Sequence, residues 1–343
     1  MRKFFFLIFA LLFMGTSVVL GKDISPVILG LSTYPVTEEE KAYVKQVNPY
    51  GFVFVEEHFK KNINFPALKK ELTQLLGHKI YFFVDQEGGK VNRLRHIFPN
   101  IEFPSAEYYG SIAEKQGIET AKQLVFEKAK EIALLFSLLD IDVNLAPNAE
   151  IRPQGNFETF FKNRLYSRDP EIVKELSEAF AEGTKAGGVE PCFKHFPGTA
   201  LSETDPHKTI PVISTVDLKI LTKREFVPFA SVNKYKYVMM GHALYPKIDD
   251  KNVSTLSPKF YKVLRKKLKF KGFIITDSLN MSATGNISIG EKIARSLSAG
   301  ADLALFFFPN NTPFEERLKE LEKITPEMIK KFNKKLRKMG NKK

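Results

Sequence analysis

Asp205-Pro206-His207 sets a carboxylate two residues from an imidazole. At that spacing the carboxylate can reach the ring, fix its tautomer and raise its pKa, which makes an acid/base pair working near neutrality. Taken alone, the tripeptide describes equally well a solvated loop whose Asp makes a local turn. Upstream lies Lys194-His195-Phe196-Pro197-Gly198, where an apolar run over 189–193 delivers a Lys-His pair and Pro197-Gly198 ends regular structure. Loops of this kind hold reactive groups over a rigid scaffold. A second group is Asp85-Gln86-Glu87-Gly88-Gly89-Lys90-Val91-Asn92-Arg93. Its glycines allow a tight turn, its carboxylates can accept sugar hydroxyls, and its Arg brings a fork of donors. A surface turn with a local ion pair is the other reading of those residues. A third is Ile274-Ile275-Thr276-Asp277-Ser278-Leu279-Asn280-Met281, which puts an acid where a buried run emerges. Such an acid serves as a helix N-cap or, held beneath a sugar, as a nucleophile on the anomeric carbon.

What must position these groups is a series of short apolar runs. They cover 27–29, 51–55, 80–84, 141–145, 189–193, 237–240, 273–276 and 303–308. Near-continuous apolar runs suit parallel strands covered on both faces. Between them, helices are expected over 37–47, 66–76, 118–138, 170–186, 217–232, 257–268 and 289–299. Asp169-Pro170 and Ser257-Pro258 each put an N-cap residue before a proline at the first helical position. Eight strands alternating with helices predict an α/β fold, a single (β/α)8 barrel, with an open doubly wound sheet as the alternative. No linker or repeat divides the chain, so one domain is expected over 22–343, ending in a basic helix. In a barrel the site lies at the C-terminal strand ends. Asp85, Asn148, Lys194-His195, His242 and Asp277 all follow the ends of such runs.

In this order, Asp-Gln-Glu-Gly-Gly-Lys-Val-x-Arg, Lys-His-Phe-Pro-Gly, Asp-x-His and Thr-Asp-x-Leu-x-Met resemble glycoside hydrolase family 3, in particular its single-domain β-N-acetylglucosaminidase group. The resemblance runs from about Asp85 to Met281, with the barrel frame on either side. It implies Asp277 as the nucleophile that forms a covalent glycosyl-enzyme and His207 as the acid/base, with Asp205 orienting the imidazole. It also implies Asp85, Arg93, Arg164, Lys194 and His195 as substrate-binding residues, and His242 as part of the pocket lining. No metal or organic cofactor is implied; the partner is a carbohydrate, an amino-sugar oligomer or peptidoglycan fragment.

The chain departs from the family pattern at three places. Gly198-Thr199-Ala200 stands where Gly-His-Gly is usual, Pro206 where Ser is common, and Asn163-Arg164-Leu165 where an acidic-Arg-Ser run is usual. Proline fixes φ and removes a donor, which stiffens the acid/base loop. Rival readings are a β-glucosidase of the same family and a wall-sugar binder without turnover. A metal-dependent barrel hydrolase would need a tight His-x-His or His-x-x-x-His pair, which the six His do not form.

Composition sets the remaining bounds. At 343 residues and 43% hydrophobic the chain can bury a large core, and its single Cys192 excludes a disulfide framework. Residues 1–21 read as a signal peptide: Arg2-Lys3, an apolar segment from Phe4, then Val19-Leu20-Gly21 before Lys22. Export to the periplasm or beyond is therefore expected, an uncleaved membrane anchor being the other reading. Net charge is +13; the leader holds two of the cations and no acid, so +11 remains. That charge favours anionic cell-envelope polymers as partners. No nucleic-acid module accompanies it, and a monomer is expected. The densest basic run, 330–338, is expected to be a helix with a solvated face.

Overall fold

The eight apolar runs become eight parallel strands: β1 (Ser25–Gly30), β2 (Pro49–Phe54), β3 (Tyr81–Val84), β4 (Val143–Asn144), β5 (Glu190–Phe196), β6 (Tyr237–Met240), β7 (Phe273–Thr276) and β8 (Ala304–Phe306). The computed structural model describes residues 23–154, 161, 163–202 and 204–340, so the expected leader lies outside the described residues. Each strand pairs with its sequence neighbour from β1 to β7, and β8 pairs back onto β1. A parallel bridge between Ile275 and Leu303 brings β7 to β8, which nearly closes the (β/α)8 barrel.

Side chains alternate across a strand, so a run buried on both faces feeds two cores. Ile28, Tyr50, Val53, Phe83, Val143, Cys192, Met239 and Phe273 point into the barrel. Their neighbours Val27, Leu29, Phe52, Phe82, Phe193, Val238 and Ile274 pack against the surrounding helices. Burial pushes the Cys192 thiol well above its usual pKa, consistent with an inert core residue. At the N-terminal end of the strands the barrel is closed by aromatics. The hydroxyls of Tyr50 and Tyr237 meet at 2.6 Å. Phe332, from the C-terminal helix Pro326–Gly340, stands edge-on to Tyr50 at 5.5 Å and lies 5.9 Å from Phe273.

Helices Ile118–Leu138, Pro170–Ala186 and Ile289–Ala299 form where the sequence places them. Asp169 caps its helix by accepting the Glu171 N–H at 2.8 Å. Ser257 does not do the same: its hydroxyl donates to Asp249 Oδ2 at 2.6 Å, so the helix Pro258–Lys262 lacks that side-chain cap. The helix expected over 217–232 is a six-residue helix, Leu218–Lys223, followed by two short 3₁₀ turns. Pro228, which has no N–H for the helical ladder, sits in the first of them. Helices Ala106–Gln116 and Phe314–Leu321 are additional. No described helix is long and apolar enough to cross a membrane.

Because Phe332 fills the barrel floor, Phe332→Ala is expected to cost about 3–5 kcal/mol. Urea unfolding followed by circular dichroism measures this, and a loss under about 1 kcal/mol would mean the helix is not part of the core.

Candidate active site

The C-terminal strand ends surround a cavity of about 360 Å³. Seven of the eight residues to which the sequence assigns catalytic or substrate-binding roles line it, namely Asp85, Arg93, Arg164, Lys194, His195, His207 and Asp277, as does His242. The eighth, Asp205, stands behind His207 and holds it.

The wall from β3 begins at Asp85. Gly88 and Gly89 both have positive φ, and a Cβ on Gly88 would come within 2.2 Å of the Pro104 carbonyl oxygen. The glycines are thus required by the turn and by its packing. Gln86, fully buried, ties the loop together: its Oε1 accepts the N–H groups of Arg93 (2.7 Å) and Leu94 (3.1 Å). Arg93 reaches the cavity while its Nη1 donates to Glu56 at 3.2 Å.

Glu87 anchors the same wall from within. Its carboxylate accepts a two-pronged contact from Arg164 at 2.8 and 2.7 Å, and Lys194 Nζ lies 2.8 Å from it. Lys194 also donates to Asp85 at 2.5 Å. Burial alone would raise the pKa of Glu87, but the charges of Arg164 and Lys194 outweigh it and hold the acid well below the ordinary carboxylate range. Lys194 and His195 lie inside β5 rather than after it, since the strand continues to Phe196.

His195 is set by a buried acid that the sequence reading missed. Its Nδ1 faces Glu150 Oε1 at 2.5 Å, and a carboxylate can only accept, so Nδ1 carries the proton. Glu150 also accepts the backbone N–H groups of Thr199 and Ala200, the latter at 2.7 Å, and the Thr199 hydroxyl. The altered positions after Gly198 thus act through their backbone and one hydroxyl. The second His195 nitrogen, Nε2, lies 3.8 Å from Asp277 Oδ2.

Asp277 emerges from β7 and accepts the Ser278 N–H at 2.7 Å. It does not begin a regular helix. Burial pushes its pKa up, but the fields of His195 and His242, the Ser278 N–H and Lys194 bring it below the ordinary value. His242, wholly buried, has its pKa lowered by desolvation. Its Nε2–H donates to the Ser278 carbonyl at 3.0 Å, and Nδ1 meets the Thr255 hydroxyl at 2.8 Å. It therefore orients the segment that carries Asp277.

Across the cavity, His207 Nδ1 donates to Asp205 Oδ1 at 2.9 Å, and the His207 backbone N–H donates to the same oxygen. Burial raises the pKa of Asp205, but these two hydrogen bonds and the imidazole charge bring it below the usual range. The ring is half exposed at the cavity mouth. The Ala283 N–H donates to the Pro206 carbonyl at 3.1 Å, which ties the His207 loop to the segment after Asp277. One cavity therefore holds an ionised acid at its base and a carboxylate-held imidazole at its rim. Glu87 lay within a quoted motif, and Glu150 two residues beyond Asn148. Their signal was position after a strand end, not residue type.

Residues 32–339 match the Glycosyl hydrolase family 3 N terminal domain. A beta-hexosaminidase of Psychromonas ingrahamii is 32% identical over 286 residues, covering 82% of each chain. The crystal structure of NagZ from Neisseria gonorrhoeae superposes with a TM-score of 0.76 at 26% identity, over 91% of this chain and 90% of that one. NagZ of that organism in complex with N-trifluoroacetyl-D-glucosamine gives 0.75 at 25% identity, over the same shares.

Glu150→Ala leaves the Nδ1–H of His195 and two backbone N–H groups without their acceptor, so about 1–3 kcal/mol of stability is expected to be lost for each donor left dry. Chemical denaturation tests it, and an unchanged midpoint would show that Glu150 does not hold the loop. The Asp277 carboxyl, followed by ¹³C NMR, is expected to titrate below about 3.9, the free aspartate value. Titration above that would remove the field assigned to the two histidines.

Proposed function

Because the chain belongs to glycosyl hydrolase family 3 through its N-terminal-type domain, we propose that it is a retaining β-N-acetylhexosaminidase that releases a terminal β-linked N-acetylglucosamine. The observation that carries the reading is the pairing, across one cavity, of ionised Asp277 with the Asp205-held His207.

Asp277 attacks the anomeric carbon while His207, protonated, gives its proton to the departing glycosidic oxygen. The bond to the aglycone breaks as the bond to Asp277 forms, leaving a glycosyl-enzyme. His207, now neutral, takes a proton from water, whose oxygen attacks the same carbon and frees Asp277; two inversions give net retention. An imidazole suits both steps because its pKa lies near the working pH. Asp205 fixes the tautomer and stabilises the imidazolium, as the acid of a triad does. The depressed pKa of Asp277 keeps the nucleophile charged.

Asp85, Lys194 and His195 supply acceptor and donors to ring hydroxyls from β3 and β5, with Arg93 and Arg164 closing the same wall. Glu87 in the cavity wall and Glu150 behind it hold Lys194, Arg164 and His195 in position. The leader motivates the further proposal that the enzyme works outside the cytoplasm, on peptidoglycan fragments or another amino-sugar oligomer.

A chromogenic N-acetyl-β-glucosaminide and the matching β-glucoside test the reading on the purified mature chain. The aminosugar is expected to turn over preferentially, with ¹H NMR showing the β anomer as first product. Asp277→Ala abolishes turnover, and His207→Ala lowers it by about 10²–10⁴-fold. Faster glucoside turnover would move the assignment to a general β-glycosidase, and none by the folded wild type would favour a sugar binder.

A further inference from the structure

A second cavity, of about 840 Å³, opens at the opposite end of the barrel. Pro26 at the start of β1 and Asp302 just before β8 place it at the N-terminal strand ends, away from Asp277. One wall carries Lys262 and Arg265; the other is the helix Pro326–Gly340, which presents Lys331, Lys334, Lys335 and Lys338. Their spacing of three, four and seven residues puts these four on one helical face, a row about 10 Å long. This is the basic run whose expected role was a solvated face. Lys331, Lys334 and Lys338 are solvent-exposed as expected, and they also border the cleft.

The charge in the cleft is not balanced. Its two carboxylates are Asp302 and Glu327, against six cations. Asp302 is already occupied, since it accepts from Arg265, from Lys335 Nζ at 2.7 Å and from the Ile274 N–H at 2.7 Å. Among the described residues no ion pair reaches Lys262, Lys331, Lys334 or Lys338, the pairs in this cleft being those of Arg265 and Lys335 with Asp302. Lys335 shows the strain. Burial, with the like charges of Arg265 and Lys331, overcomes the pull of Asp302 and brings its pKa down to about 8. A chain of net charge +13 scatters cations over much of its surface. Gathering them unpaired in a concavity focuses the potential there.

We infer that this cleft binds a linear inorganic polyphosphate, with at least two phosphate groups along the Lys331–Lys338 row. One phosphate cannot meet cations spread over about 10 Å, whereas successive phosphates of one chain can. A flat lipid surface does not enter a cleft. Nucleic acid would want exposed aromatic faces for its bases, and the cleft's two aromatics, Tyr261 and Phe332, are buried in the fold. The site does not depend on the glycosidase reading.

Calorimetric titration of the full mature chain with inorganic tripolyphosphate, against orthophosphate, tests it. Tripolyphosphate is expected to bind at least about tenfold more tightly than orthophosphate and to weaken steeply with added salt. Lys331 and Lys334 are exposed, so the double variant K331E/K334E keeps its fold and its turnover while losing at least about tenfold in affinity. The control K219E/K223E makes the same charge change on an exposed helix elsewhere and is expected to bind like wild type. Equal loss in both variants would reduce the effect to net charge and overturn the site, as would no binding by wild type. Tighter binding of phosphatidylglycerol vesicles, or of a single-stranded oligonucleotide, than of polyphosphate with equal phosphate number would overturn the ligand class.

Discussion

The site rests on a nearly buried carboxylate in the cavity wall. Glu87 is bonded to Arg164 on one side and Lys194 on the other, and Lys194 in turn holds Asp85. Three separate stretches of chain, after β3, before β5 and within β5, are thereby fixed to one another by charge. Burying Glu87, Arg164 and Lys194 is costly, and it is tolerated only because each has a partner at hydrogen-bond distance. The same logic recurs around Glu150, where a single acid receives two backbone N–H groups, a hydroxyl and His195. The rigid part of the pocket is thus an arrangement of paired charges seated on an apolar barrel.

How far the sequence could be read follows from where the information lies. Strands covered on both faces leave continuous apolar runs, so all eight were visible, as was the order that makes a barrel. Cavity-lining residues cluster in motifs at or near strand ends, which made Asp85, Lys194, His195 and Asp277 visible, while His207 was visible through its Asp-x-His spacing. Glu150 and Glu87 were not, because a buried acid paired through the fold looks in sequence like a surface acid. Its pairing with a residue far along the chain, as Glu87 with Lys194, is seen only in the fold. Ser257 failed for a related reason: Asp249 competes for its hydroxyl, and that contact is tertiary. The break after Lys223 was locally legible in Pro228 but was outweighed by the helical pattern around it.

The two ends of the barrel divide the physical work. The N-terminal end is filled by Tyr50, Tyr237, Phe273 and Phe332, whose burial gives stability. The C-terminal end gives up part of its filling for a cavity lined by both charged and apolar side chains, and recovers order through ion pairs and His–acid contacts. The C-terminal helix belongs to the first end, and Phe332 on its inner side makes it a plug rather than an appendage. Its basic row comes with that plug.

The Glu87 bridge also constrains how such a pocket can change over generations. Replacing Arg164 or Lys194 alone removes one of the two cations that neutralise Glu87, and replacing Glu87 alone takes a carboxylate partner from each of them. Either intermediate is penalised before any new specificity appears. Substitutions on this wall are therefore coupled, and related chains should vary at 87, 164 and 194 together or not at all. Thr199 and Ala200 face no such coupling through charge, which leaves that turn as the wall along which a lineage can drift one residue at a time.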